Sequence, residues 1–539
     1  MASTGGRELP SRLAAKLDSR RTAGGASLDC LVGRTRRGKG GEIKPPAGQP
    51  EPVCQVQPGP PPLGARDRNR PRRVLGFADV VFFYIVSGIS LRWIATAASG
   101  GPSSIVIWVG AWLVFYIPLA LSVIELSSRY PNEGGLYVWT KHAFGDFSGF
   151  MCAWIYWSSN LPYFPAVLYF AASNVLFMRQ ASWEHLSNNA NFYVVFSLVA
   201  LGAATFLNVM GLDVGKWLHN LGAVAMCVPV LIVIGMGVLA WHRFGSATAF
   251  TGHSMIPSTH FSDLIFWSVL TFALGGCETA SFMGEEIKNP RRLIPLGLMV
   301  GGAIVTLCYT LGTIGVLLAL PPAEVSDLQG LMQAISKTAH RVGLEAVIPL
   351  AALLIALSNL GAASAYLAAV ARLPFVAGLD RFLPPAFGVL HSRWRTPWIA
   401  LVTQFVCGVV FILLGQAGTT VRGAYEVLVS MGVITYFLPY LYLFAAMFKL
   451  QSRPAEPDVI RVPGGRPVAR LVSIVGFLTG CATILISLVP QPDEPNQTLA
   501  IVKIVGSTGL LLAVGMFIYF TGKRRATHFA QSDQTAIHR

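Results

Sequence analysis

Phe272-Ala273-Leu274-Gly275-Gly276-Cys277-Glu278 decides how this chain is read. It lies within the apolar run 261–283, long enough as a helix to cross a bilayer. Glycine is the poorest helix former short of proline, so a Gly pair at mid-membrane weakens the helix where lipid most demands backbone pairing. A carboxylate at that depth is costly unless it faces a partner or water. Together these two faults predict unwound backbone lining a cavity, with Glu278 beside it.

The rest of the chain places this run in a large membrane protein. Of 539 residues, 53% are hydrophobic and 12% charged, and mean hydropathy is +0.55. Soluble proteins carry about 25% charged residues. The fold class predicted is an all-α integral membrane protein. At about 20 apolar residues per crossing, twelve transmembrane helices are expected. They lie near 77–99, 105–126, 148–178, 192–210, 217–241, 261–283, 293–320, 346–370, 398–414, 425–450, 468–488 and 499–520.

A net charge of +15 could suggest nucleic acid, but its distribution points to the lipid bilayer as the partner. With a cytoplasmic N-terminus, nearly all Lys and Arg fall in the tails, the even-numbered loops or the span ends beside them. Arg179, Arg243, Lys337, Arg341 and Arg422 fall outside that set, and Arg92 and Lys503 fall within spans. This is the positive-inside pattern, so both termini are expected in the cytoplasm of a cell (plasma) membrane protein. Cys30 and Cys54 lie in the N-terminal tail and the other six cysteines within spans, so no structural disulfide is expected. Residues 1–73, rich in Gly, Pro and Arg, are expected to be a disordered basic tail, and 522–539 a second cytoplasmic tail.

Span 1 repeats the fault of span 6. It holds Ser87-Gly88-Ile89-Ser90, with Arg92 just beyond. The two breaks are five spans apart, so the segments cross in opposite directions. That is the mark of a 5+5 inverted repeat with broken helices 1 and 6 around a midplane site. The predicted core is 74–450, with repeats 77–241 and 261–450, and 451–521 adds spans 11 and 12.

Span 1 runs outward, so the half after the break offers N–H groups near Ser90 and a positive dipole end, which suit a carboxylate. Ser87 and Ser90 add hydroxyl donors. The halves before the breaks end in carbonyls, Phe83–Ile85 and Phe272–Leu274, which suit an ammonium. A zwitterionic α-amino acid satisfies both, so the substrate-binding set includes Ser87, Gly88, Ile89, Ser90, Phe272, Ala273, Leu274 and Gly275. No His/Asp/Glu cluster with catalytic or metal-ligand spacing occurs in the spans, and no Gly-x4-Gly-Lys-Ser/Thr loop is present. An enzyme and an ATP-driven pump are therefore not supported, and no metal or cofactor is expected.

Three further stretches complete a pattern: Pro131-x-x-Gly134-Gly135 after span 2, Glu286-x-x-Asn289-Pro290 with Pro295 after span 6, and Asp380 to Pro385 after span 8. With Ser87-Gly88-Ile89 and Gly276-Cys277-Glu278, the arrangement resembles the amino acid–polyamine–organocation superfamily of secondary transporters. The resemblance covers about 74–450 well and 451–521 loosely. It departs from the family at Val86, where a glycine is usual, and Arg92 has no counterpart in the motif.

The resemblance implies alternating-access transport of amino acids, by a monomer or homodimer, with a polyamine or other cationic substrate or an exchanger as alternatives. A non-transporting membrane sensor is the alternative of another class, although the N-terminal tail has no helical periodicity. The resemblance also implies that Asn160 contacts substrate, that Phe272 and Tyr366 gate it, and that Glu278 couples transport to protons. Arg92 is a candidate gate or carboxylate contact. The lysine that proton-coupled relatives often place in span 5 is replaced by Met226, and Ser358 and Ser364 are a thin pair for sodium.

Overall fold

A computed structural model describes residues 71–258, 260–326, 329–415, 421–488, 505–506 and 508–525. The basic tail lies, up to residue 70, outside the described residues. So do most of the C-terminal tail and the start of the last apolar run. Among the described residues the architecture is helical throughout, and the only extended pairing is a single parallel bridge, Leu75 to Ile287. Eight helical runs there are long and apolar enough to cross a membrane, with the interrupted runs Phe77–Ser99 and Asp146–Arg179 counted as one each, and two shorter apolar helices are Asp263–Ala273 and Trp398–Leu414.

Local chemistry sets the boundaries. Gly145 (φ 90°) and Gly211 (φ 111°) take backbone angles that side chains resist, and they end Leu136–Phe144 and Ala190–Val209 before the next helix begins. Asn189 starts Ala190–Val209 by accepting the N–H groups of Asn191 and Phe192 at 3.0 and 3.3 Å.

The long helix Leu212–Phe244 packs on both Pro290–Ala319 and Val347–Val370. Small residues make this possible. A Cβ on Gly237 would sit 2.3 Å from the Gly315 carbonyl oxygen, and one on Gly222 would sit 2.7 Å from the Gly361 Cα. Backbones touch at both crossings, which is how helices gain packing energy in lipid, where apolar burial supplies none. Large apolar side chains such as Val199, Phe206, Leu231 and Leu307 point outward instead.

Several expectations change. The run 148–178 is not one helix: Asp146–Ser159 and Tyr163–Val175 are separated at Asn160–Pro162. After the Gly275-Gly276 break the chain resumes as a 3-10 segment, Thr279–Glu286, rather than as α-helix. Thr279 Oγ1 and Ser281 Oγ donate to the carbonyls of Gly276 and Glu278 at 2.7 and 2.5 Å. Such bonds three residues back favour the tighter winding. Two further helices, Leu136–Phe144 and Gly330–Val342, occupy segments read as loops.

Candidate functional site

The first apolar segment forms two helices, Phe77–Gly88 and Leu91–Ser99, joined through extended Ile89 and Ser90 (φ −97° and −124°). The Ser90 N–H, which a continuous helix would pair internally, donates to the Tyr309 hydroxyl at 3.0 Å. That hydroxyl lies 3.0 Å from the Gly88 carbonyl and 3.2 Å from the Ala273 carbonyl, and donates to one of them. One buried phenol thus ties both breaks together.

The second break is fixed by its glycines. Gly276 sits at φ 103°, and its N–H donates to the Tyr440 hydroxyl at 3.0 Å. A Cβ on Gly275 would come within 2.7 Å of both the Tyr436 ring and the Tyr440 hydroxyl. The breaks also meet directly. Ser87 Oγ lies 3.2 Å from Thr279 Oγ1, and the Tyr366 hydroxyl donates to the Ser87 carbonyl at 3.1 Å.

A cavity of about 100 Å³ lies at this junction. Among the predicted residues, Ser87, Gly88, Ile89, Ser90, Arg92, Asn160, Phe272, Ala273, Gly275 and Tyr366 line it. Leu274 does not: it turns into a separate apolar groove beside Trp108 and Trp112. The carbonyls expected to be free at Phe83 and Ile85 are engaged, by Ser87 Oγ at 2.7 Å and the Ile89 N–H at 3.0 Å. The Ser87 and Gly88 residues line the cavity, and their carbonyls already meet phenols, Tyr366 at 3.1 Å and Tyr309 at 3.0 Å.

Sequence reading missed Tyr309, Asn359, Tyr163, Tyr436 and Trp93, which also line the cavity. Asn359 carried a signal, being an amide inside an apolar span. Asn160 and Asn359 each donate to the carbonyl four residues back at 2.7 Å, which leaves Asn160 its oxygen and one N–H for a ligand. Phe272 stands edge-on to Trp93 and Tyr436, with centroids 5.7 and 5.1 Å apart.

Glu278 lies behind the cavity and does not line it. It is 0% exposed. Oε1 accepts from Tyr156 at 2.5 Å and Tyr440 at 3.0 Å, while Oε2 is buried with no hydrogen-bond partner among the described residues. Tyr440 therefore connects the carboxylate to the Gly276 N–H of the break. Met226 is fully buried; Ser358 donates to Ile355, and Ser364 accepts from Asn208. Among the described residues no group of three His, Cys, Asp or Glu side chains could hold a metal.

The model of a family described as amino acid permease matches residues 75–510. The chain belongs to the amino acid permease family. It is 28% identical over 453 residues to an uncharacterized transporter of Legionella pneumophila, covering 83% of this chain and 96% of the relative. A serine/threonine exchanger of Bacillus subtilis is 25% identical over 449 residues, 81% of this chain and 94% of the relative. A probable agmatine/putrescine antiporter of Lactococcus lactis is 23% identical over 446 residues, with the same shares. This permease is accordingly a multi-pass membrane transporter rather than an enzyme.

The Pro131 and Glu286 motifs of the permease meet around Arg372, beside the chain that leads into the first helix. Arg372, 1% exposed, donates to Glu286 through Nε at 3.1 Å and Nη2 at 2.9 Å, and through Nη1 to the Ala368 carbonyl. Glu133 Oε1 lies 3.8 Å from the same guanidinium, and its Oε2 accepts the Glu285 N–H at 2.9 Å. Burial, then the neighbouring Glu286 charge, pushes the Glu133 carboxyl well above the ordinary range, against the pull of Arg372 and that N–H. The Val74 and Leu75 N–H groups donate to the Glu286 carbonyl, and Asp380 takes the Tyr137 hydroxyl and Lys141 Nζ.

The bridge at Tyr309 has a measurable consequence. Tyr309→Phe keeps the ring stacked on Trp108 (centroids 4.8 Å apart) but leaves the Ser90 N–H and a break carbonyl without their partner. A loss of about 1–3 kcal/mol is expected. It should appear as a lower melting temperature of the detergent-purified protein, and an unchanged melt would show that the hydroxyl does not hold the breaks.

Proposed function

We propose that this permease carries amino acids across the cell membrane by alternating access around the paired breaks, with proton coupling through Glu278. In this reading the chain crosses the membrane twelve times, spans 1–5 and 6–10 form the inverted repeat, and both termini are cytoplasmic. The observation that carries the reading is the cavity where the two broken helices meet, lined by Ser87–Ser90 on one side and Phe272, Ala273 and Gly275 on the other. Two helix ends meet there around one small volume whose lining holds both hydroxyl and amide groups, as a zwitterion requires.

A polyamine or other cationic substrate is the weaker reading. Its obvious counter-charge was Glu278, which is sealed behind Tyr156 and Tyr440, and no lining residue is acidic. Exchange is the second reading of the transport cycle, favoured by the serine/threonine exchanger among the relatives. The test is uptake of a labelled amino acid panel into proteoliposomes, with an imposed proton gradient or with internal amino acid preloaded. Gradient-driven accumulation is expected for at least one amino acid. Uptake only after preloading would replace coupling by exchange, and no uptake in either arm would favour a non-transporting sensor.

A further inference from the structure

The buried cluster of Glu133, Glu286 and Arg372 sets two carboxylates against one guanidinium. We propose that Glu133 is a proton-binding site that keeps the face of the permease bearing Val74 closed, and that this face opens once the proton leaves. The inference rests on the alternating-access reading above, and adds to it a group that gates one face without carrying protons across.

Glu286 takes most of what Arg372 offers. Its oxygens accept from Nε at 3.1 Å and from Nη2 at 2.9 Å, while Nη1 donates to the Ala368 carbonyl. Glu133 is left with an approach of 3.8 Å to Nε, too long for a hydrogen bond. Its Oε2 accepts the Glu285 N–H at 2.9 Å, and its Oε1 is buried with no hydrogen-bond partner among the described residues. An ionised carboxylate so placed, at 6% exposure, is costly, and a proton on it removes that cost. Burial and the Glu286 charge push this carboxyl up accordingly. The charged groups facing it are Glu285 and Glu286 on one element and Arg372 on another. On its own side Tyr137 and Lys141 are held by Asp380, His142 is stacked on Tyr130, and Arg129 is paired with Glu125.

Glu133 sits in a seam between elements. The Gly134 N–H donates to the Phe282 carbonyl at 3.0 Å, and a Cβ on Gly284 would lie 2.5 Å from the Pro131 carbonyl oxygen. The loop 131–135 is therefore pressed, backbone on backbone, against Thr279–Glu286, the segment that follows the second break. Ionised in the closed seam, Glu133 repels Glu286 in surroundings that screen poorly. Parting the seam admits water and returns the carboxyl to its ordinary range. The closed seam thus binds a proton more tightly than the open one, and by linkage rising pH favours the open one. None of the three cluster residues lines the substrate cavity, so the proton comes from, and returns to, the solution on the Val74 face.

The experiment uses the full-length protein in proteoliposomes, with the same pH on both faces, and measures exchange of a panel of labelled L-amino acids. Wild-type exchange should rise with pH, by up to about tenfold per pH unit, the limit for one titrating group. Glu133→Gln mimics the protonated form and keeps an oxygen for the Glu285 N–H. It should exchange slowly, lose the pH slope and melt like wild type at acidic pH. Glu278→Gln should keep the slope. A second measurement needs no transport: the infrared difference between purified wild type and Glu133→Gln should contain a protonated-carboxyl band that disappears at alkaline pH. An unchanged slope in Glu133→Gln, or a difference spectrum without that band, overturns the inference and leaves the transport reading intact. A Glu133→Gln protein that melts well below wild type at acidic pH also overturns it, since a site that holds a proton tolerates its mimic. Exchange of no amino acid by wild type overturns the transport reading and the gating role with it, whatever the spectrum shows.

Discussion

Arg372→Met is expected to destabilise the folded protein by about 3–5 kcal/mol, because it strips the cation from two buried carboxylates. Glu286 is 3% exposed and Glu133 6%, so neither can recover its charge stabilisation from water. The loss also loosens the chain more widely. Glu286 holds Val74 and Leu75 through its carbonyl, and Glu133 holds the Glu285 N–H, so one cluster joins four stretches of sequence.

The defect should depend on pH with a definite sign. A carboxyl held above its ordinary range favours the folded state when protonated, and that contribution fades as pH rises through the raised value. Removing Arg372 takes away a charge that opposes this upward shift at Glu133. The variant should therefore melt furthest below wild type at alkaline pH and approach it on acidification. Adding Glu286→Gln and Glu133→Gln to Arg372→Met should restore much of the lost stability, since a neutral cluster no longer needs the cation. An equal drop at every pH, with no recovery in the triple variant, would make Arg372 a packing residue only.

How much of this was legible in the sequence depends on range. The break at Gly275-Gly276 was visible because the penalty for glycine in a helix is local, and so was Glu278, since a carboxylate in an apolar run has no local explanation. Ser87–Ser90 was placed correctly as the second interruption for the same reason. Tyr309 was not legible. It reads as one aromatic among many, and its partner Ser90 is 219 residues away. Leu274 failed in the opposite way. Its neighbours line the cavity, but the turn at the break carries its side chain to the other face, and composition cannot report a direction. Arg372 had no local feature to single it out from the other loop cations. Only the meeting of the Pro131–Gly135 loop, the end of the 3-10 segment and the end of Val347–Val370 makes it a buried centre.

Glu278→Gln is expected to abolish accumulation driven by a pH gradient while substrate exchange continues. The geometry makes this substitution informative. Glutamine keeps an Oε1 able to accept from both Tyr156 and Tyr440, now at 2.5 and 3.0 Å, and its amide nitrogen takes the place of an oxygen that has no described partner. The Tyr440 link to the Gly276 N–H is preserved, so the break keeps its shape. What is removed is the ionisable carboxyl beside the break, the group that the proposed coupling uses. Glu278→Ala is the contrasting variant: it leaves two buried phenols without their acceptor, at about 1–3 kcal/mol each, and should melt well below the Gln form. Proteoliposome counterflow would measure exchange, and uptake under an imposed gradient would measure coupling, each per folded molecule. Gradient-driven uptake surviving in Glu278→Gln would remove the proton from this residue and leave the carboxylate as a structural acceptor for its two tyrosines.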